Sequence, residues 1–292
     1  MPCAPVIANA GETAPWRALV NGREQGVVGI ADRGLLYGDG LFETIAVRRQ
    51  APCRWSAHLA RLNRGADRLC IPRVDPTLLR TEADALLAGV DQGVLRLTLT
   101  RGKGGRGYRP PANPTPTRIL AVYPSPPFHD EPSISGVALT FCRARLGDNP
   151  LLAGIKHLNR LEQVLARAEW DDPGIIDGLM ADNRGCVICG TMTNLFLVQG
   201  EGLTTPRLAR CGVAGTVREL VLERARALGI PLIERDVRTE ELYRARGLFV
   251  TNAVLGLMSV ARLGTRGYDT SAVPTALIEQ VQQAVFEPET QT

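Results

Sequence analysis

Two proline-rich stretches limit what this chain can fold into more than any other feature. Arg109–Thr117 (RPPANPTPT) and Pro124–Pro132 bracket one short apolar strand, Ile119–Val122. Proline lacks an N–H and fixes φ, so neither stretch continues a helix or a central strand, and together they read as a hinge. With 292 residues the chain has room for two domains. The reading is a small α+β domain at 1–118, a linker at 119–132 and a larger domain at 133–292.

Each side of the hinge mixes strand and helix signals. Val94–Arg101 sets Leu95, Leu97 and Leu99 against Arg96, Thr98 and Thr100, the period of a half-buried strand. Leu59, Leu62, Ala66 and Leu69 give His58–Leu69 a helical stripe, and Thr77–Ala88 reads as another helix. Beyond the hinge, Val137–Arg143 reads as a strand and Leu158–Trp170 as an amphipathic helix. Asn194–Val198 and Leu203–Thr205 form an expected hairpin, while Val217–Leu228, stopped by Gly229, and Thr275–Phe286 are expected helices.

Composition narrows the function. Lys and Arg number 34 against 30 Asp and Glu, a net charge of +4, too small for a dedicated nucleic-acid binder but suited to small anionic ligands. No apolar run approaches the roughly 20 residues of a membrane span, and the first 13 residues lack the pattern of a signal peptide. A cytoplasmic protein without membrane or nucleic-acid partners is expected. The seven cysteines are scattered and odd in number, as reduced thiols would be. Cys186 and Cys189 form the one C-x-x-C, and the three histidines stand at unrelated spacings, so no metal is expected.

Three segments carry possible chemistry. Gly102-Lys-Gly-Gly-Arg-Gly107 fits the dinucleotide fingerprint, but Tyr108-Arg-Pro-Pro forbids the helix that must follow it, which leaves a flexible loop presenting Arg106 and Tyr108. Gly212-Val-Ala-Gly-Thr216-Val-Arg-Glu219 leads a Gly-rich turn into a helix, with Thr216 and Glu219 spaced as a capping box. Such a helix start suits a phosphate, although an ordinary capped helix is the commoner explanation of this pattern. Lys156 stands among small and apolar residues just before a helix. Partial burial there would lower its pKa and make the amine a nucleophile.

Taken together, the motifs resemble a known family. Tyr37-Gly-Asp-Gly-Leu-Phe-Glu-Thr44, His58-Leu-Ala-Arg61-Leu, Arg101 to Tyr108, Arg145 to Gln163 around Lys156, Thr193-Asn-Leu-Phe196, and Thr205-Pro-Arg-Leu through Gly215-Thr-Val-Arg218 occur in family order. They resemble the 4-amino-4-deoxychorismate lyases over roughly residues 17–262. Those lyases belong to the fold-type IV pyridoxal-phosphate enzymes, with the branched-chain and D-amino-acid aminotransferases. The resemblance implies a two-domain fold of that type, a homodimer, and pyridoxal 5'-phosphate as cofactor.

By the same resemblance, Lys156 carries the cofactor as a Schiff base and serves as both base and acid. Arg61, Asn194, Gly215, Thr216 and Val217 would bind the cofactor, with Asn252 and Ala253 as a second phosphate-contacting turn and Val213 beneath the pyridine ring. Phe42, Thr44, Arg106 and Tyr108 would face the substrate. Cys189 departs from the pattern, standing where relatives carry a glutamate against the pyridine nitrogen. The implied reaction converts 4-amino-4-deoxychorismate to 4-aminobenzoate and pyruvate; the alternative is an aminotransferase for D- or branched-chain amino acids.

Overall fold

A computed structural model describes residues 15–24, 27–126 and 135–289. The leucines of the first half organise a five-stranded antiparallel sheet in the order β1-β5-β4-β2-β3. Its strands are β1 (Arg17–Val20), β2 (Gly40–Arg48), β3 (Ala51–Pro52), β4 (Gln92–Thr100) and β5 (Thr117–Tyr123). Leu41, Glu43 and Ile45 pair with Leu99, Leu97 and Leu95, so they share one face of the sheet. The helices α2 (Trp55–Leu69) and α3 (Pro76–Leu87) cover that face and form one core with it. Phe42 and Thr44, with Thr98 and Arg96 opposite them, face the other way. A five-residue helix, α1 (Arg33–Tyr37), precedes β2.

The strand expected inside the linker lies within the first sheet. Ile119–Val122 is the middle of β5, paired with β1 on one side and β4 on the other. The prolines flank the strand without interrupting its ladder, so the chain leaves this sheet only after Tyr123. Residues 127–134, which hold most of the second proline run, lie outside the described residues.

The second half is built on a nine-stranded sheet, ordered β11-β10-β9-β12-β13-β6-β7-β8 with β14 beside β13. These strands are β6 (Val137–Leu146), β7 (Ile175–Asp182), β8 (Val187–Gly190), β9 (Asn194–Gln199), β10 (Gly202–Pro206), β11 (Leu232–Arg235), β12 (Gly247–Asn252), β13 (Gly256–Leu263) and β14 (Arg266–Gly267). The predicted hairpin is β9–β10. Among the described residues this half also holds the α-helices α4 (Leu161–Arg167), α5 (Thr216–Ala227), α6 (Thr239–Arg244) and α7 (Thr275–Val285). Val217, Leu220 and Val221 of α5 and Leu277 and Val281 of α7 share a core with Phe196 and Phe249, whose rings stack at 4.7 Å.

One expected helix is shorter than its pattern. The apolar spacing over Leu158–Trp170 forms a helix only at Leu161–Arg167, because the backbone around residues 156–158 bonds to β2 instead. That helix leaves Leu161, Val164 and Leu165 exposed.

Candidate active site

β3 covers the outer edge of β2 only at Val47 and Arg48, which leaves the edge at Gly40–Phe42 open. The lysine segment fills it. Phe42 N–H donates to the Lys156 carbonyl at 3.0 Å and Leu158 N–H to that of Gly40 at 3.0 Å. On its other side, Gly154 N–H donates to the Gly212 carbonyl at 2.9 Å and Ala214 N–H to that of Gly154 at 3.0 Å. Lys156 is thereby stitched between the two sheets, in the wall of a cavity of about 580 Å³ lined by both halves. Its Nζ lies 4.2 Å from the centre of the Phe42 ring. Burial drops the amine to a pKa of about 7, with Arg61 adding to the shift and Glu43 opposing it.

Beneath the cavity lies a closed ionic cluster. Glu43, on the leucine face of β2, meets two residues one turn apart on α2. His58 Nδ1 is 2.6 Å from its carboxylate, Arg61 Nε donates to it at 2.8 Å, and Arg61 Nη2 makes a second bond. Arg61 Nη1 donates to the Ala214 carbonyl at 3.1 Å. The Glu43 carboxyl is buried, which alone would raise its pKa, but the Arg61 charge and bonds hold it at about 2. The positive side chain that reaches the cavity is thus fixed in direction and balanced from below.

Above the cluster, the turn 212–215 delivers the chain into α5. Asn194 Nδ2 donates to the Val213 carbonyl at 2.9 Å, and a Cβ on Gly215 would come within 2.1 Å of Asn194 Oδ1, so only glycine fits. Gly215 is the N-cap, and the first N–H groups of α5 have no partner within the helix. Thr216 and Thr251 are each 1% exposed, they line the cavity, and among the described residues their Oγ1 atoms have no hydrogen-bond partner. Asn252 Oδ1 accepts from Val254 and Leu255 N–H at 2.9 and 2.8 Å, which fixes the adjoining turn. Buried hydroxyls rarely stay unpaired. Two of them beside a helix N-terminus and a buried arginine fit a phosphate, and the amine alongside fits a carbonyl.

The expected capping box does not form. Thr216 is the first helical residue rather than the cap, so its hydroxyl turns to the cavity, and Glu219 pairs with Arg64 at 2.6 Å. On β8, Cys189 lines the cavity as a thiol that burial pushes up to about 12, so it is neutral. The loop after it is set by Asp177, which accepts from the Gly178, Thr191 and Met192 N–H groups and from both threonine hydroxyls, Thr191 and Thr193.

Comparison with known proteins agrees with this geometry. Residues 40–263 match the amino-transferase class IV family. The chain belongs to that family. It is 37% identical to the aminodeoxychorismate lyase of Vibrio harveyi over 243 residues, covering 83% of this chain and 89% of that one. A putative branched-chain-amino-acid aminotransferase of Methanocaldococcus jannaschii is 31% identical over 82% of this chain and 83% of its own. The crystal structure of 4-amino-4-deoxychorismate lyase from Pseudomonas aeruginosa superposes with a TM-score of 0.85 at 46% identity, covering 91% of this chain and 97% of that one.

In this class IV chain the cavity gathers Phe42, Thr44, Arg61, Lys156, Cys189, Asn194, Val213, Gly215, Thr216, Val217, Asn252 and Ala253. Arg106 and Tyr108 are not among its lining residues. Their loop is tied back by Arg33, which donates to the Gly107 and Tyr108 carbonyls at 3.0 and 2.9 Å, and the exposed Tyr108 packs edge-on against Tyr37. Sequence reasoning passed over Glu43, Thr251, Arg160 and Asp177. Glu43 and Asp177 carried a signal, each being an acid among mostly apolar residues inside a strand. Thr251 and Arg160 carried none.

Proposed function

We propose that this chain is a pyridoxal-phosphate-dependent aminodeoxychorismate lyase, converting 4-amino-4-deoxychorismate to 4-aminobenzoate and pyruvate. The observation that carries the reading is Lys156, a half-buried residue whose amine has a pKa of about 7, beside two hydroxyls unpaired among the described residues and a free helix N-terminus. The 37% and 46% identities to lyases favour this substrate over those of the aminotransferases.

Arg61, Thr216, Thr251 and the first amides of α5 would hold the cofactor's phosphate, and Val213 and Asn194 would shape the wall beside its ring. Pyridoxal phosphate, when bound, supplies the carbonyl that takes the substrate amine and a conjugated ring that spreads the electron pair left at C4. Lys156 Nζ takes the C4 proton, and its low pKa places the neutral base near neutral pH. The bond from C3 to the enolpyruvyl oxygen then breaks and the ring becomes aromatic. The proton held at Nζ passes to the enolpyruvyl methylene carbon and completes pyruvate. Phe42 offers a π face to the amine in its charged state. Cys189, a neutral thiol, gives a ring nitrogen no counter-charge. Aromatisation drives the lyase reaction past that deficit, whereas a transaminase has no such drive.

The test is a paired assay of the protein with pyridoxal phosphate. One arm follows 4-aminobenzoate and pyruvate from 4-amino-4-deoxychorismate; the other follows keto acids from D-alanine and from leucine with 2-oxoglutarate. Aromatic product that falls at least about 10³-fold in Lys156→Ala is expected. Keto acid without aromatic product would make the chain an aminotransferase. Cofactor capture by the cofactor-free protein, read by absorbance, should also accelerate as pH rises through about 7 and level off above it. A homodimer in the cytoplasm completes the proposal. The exposed row Leu161, Val164 and Leu165 supports the dimer, and the unpaired state of all six described cysteines supports the compartment.

A further inference from the structure

Among the described residues no aspartate or glutamate lines the cavity, whereas Arg61, Lys156, Arg160 and Arg218 all do. Such a wall selects anions. Three of these cations are already committed. Arg61 is bonded to Glu43 and to the Ala214 carbonyl. Arg218 donates to the Pro206 carbonyl at 3.1 Å and to Glu234 at 2.6 Å. Lys156 is the reacting amine. Arg160 is the exception: its Nε donates to the His157 carbonyl at 2.9 Å, and among the described residues neither terminal nitrogen has a partner. Arg96 also lacks a carboxylate, but it stacks on the Phe42 ring at 4.3 Å and is not on the cavity wall.

Partly burying a guanidinium whose terminal nitrogens meet no carboxylate is costly, and burial lowers the pKa of this one against the opposing pull of Glu162. The bond from Nε to the carbonyl fixes the plane of the fork, leaving two parallel donors of the kind that binds a carboxylate. One turn along, Gln163 lines the same wall, and among the described residues its buried Oε1 has no partner. Both side chains also border a second recess of about 300 Å³, so they stand where the two hollows meet. An α-amino acid carries its carboxylate on the reacting carbon. 4-Amino-4-deoxychorismate carries two carboxylates, neither of them on the carbon that bears the amine.

We propose that Arg160, with Gln163 beside it, anchors a carboxylate of the substrate remote from the reacting carbon and so sets the preference for the dicarboxylate ring over an amino acid. The inference rests on the lyase reading above. It is tested on the holoenzyme with Arg160→Gln, Arg160→Lys and Gln163→Leu, using chorismate, which has both carboxylates but no amine, as a binding probe in calorimetry. Arg160→Gln should raise KM about 30-fold with kcat within about threefold, and should weaken chorismate to a similar degree. Arg160→Lys should recover part of both losses, and Gln163→Leu should cost a smaller factor in KM. The cofactor's absorbance spectrum and retention should not change in any variant.

A shifted spectrum or lost cofactor in Arg160→Lys would assign Arg160 to the cofactor and overturn the proposal, as would unchanged chorismate affinity in Arg160→Gln. Wild-type protein that binds chorismate through Arg160 yet forms no 4-aminobenzoate would sink the lyase reading and leave the anchor standing. Turnover with an unaltered KM in Arg160→Gln would do the reverse.

Discussion

Two groups of buried polar side chains meet at this cavity, one behind its wall with only Arg61 reaching the surface and one on the wall itself, and they are finished to different degrees. Below, Glu43, His58 and Arg61 satisfy one another and the Ala214 carbonyl. Above, the hydroxyls of Thr216 and Thr251 are equally buried and bond to nothing among the described residues. Around one cavity, burial is the same and satisfaction is not. A closed network returns its desolvation cost inside the protein, so it can hold a fold; an open one leaves that cost until a ligand arrives. The Asp177 cluster, with its five donors, belongs with the closed kind. The difference separates residues that build the site from residues that await its occupant, with Arg61, which belongs to the cluster and reaches the cavity, serving both.

Breaking the closed network should have the largest effect on stability. Glu43→Ala leaves Arg61 buried and unbalanced and is expected to cost about 3–5 kcal/mol in denaturant unfolding of the cofactor-free protein. The same cluster fixes an acid limb. The folded carboxyl is held at about 2, below its ordinary 4.5, so its contribution is complete above about 4.5 and is lost as pH falls toward 2. A variant as stable as the parent, with an unchanged acid limb, would mean that the cluster does not hold the fold.

Much of this wall was legible in the sequence, for a physical reason. Lys156, Asn194, Gly215 and Thr216 sit in local motifs whose backbone course is set within a few residues, so their neighbours announce them. The leucine period of β4 likewise gave its strand and its faces. Contacts that depend on two distant segments were not legible. Glu43 and Arg61 meet only because α2 packs on β2. Thr251 joins the wall only because β12 lies beside β9. The stitching of residues 156–158 to an open strand edge turned an expected helix start into extended chain, which no periodicity records. The loop of Arg106 and Tyr108 is glycine-rich and flexible by its sequence, and its restraint, Arg33, comes from another element.

The open group should respond in the opposite way to the closed one. Thr216→Val and Thr251→Val remove hydroxyls that have no partner, so the cofactor-free protein should keep its stability or gain up to about 1 kcal/mol. Affinity for pyridoxal phosphate should fall about tenfold for each, as a bond to a charged phosphate is lost. Equilibrium dialysis and unfolding of the same samples read both quantities. A loss of stability without a loss of affinity would place these hydroxyls among the structural residues and erase the contrast.

The smallest effect tests whether burial, rather than charge, makes the closed network matter. Arg64 and Glu219 form an ion pair of good geometry, at 2.6 Å, beside the same helix start, but both side chains are about half exposed to water. Water and salt screen such a pair, and holding two long side chains in one geometry has an entropic cost. Glu219 also sits in the first turn of α5, where an acid interacts favourably with the helix dipole. Glu219→Gln should therefore cost under about 1 kcal/mol, and most of that should vanish in 1 M salt. Glu43→Ala should keep its cost in the same salt, because ions do not reach the cluster. If both variants lost their effect together, the Glu43 cluster would be wetter than its 1% exposure allows, and the division of the wall into a closed and an open part would have to be redrawn.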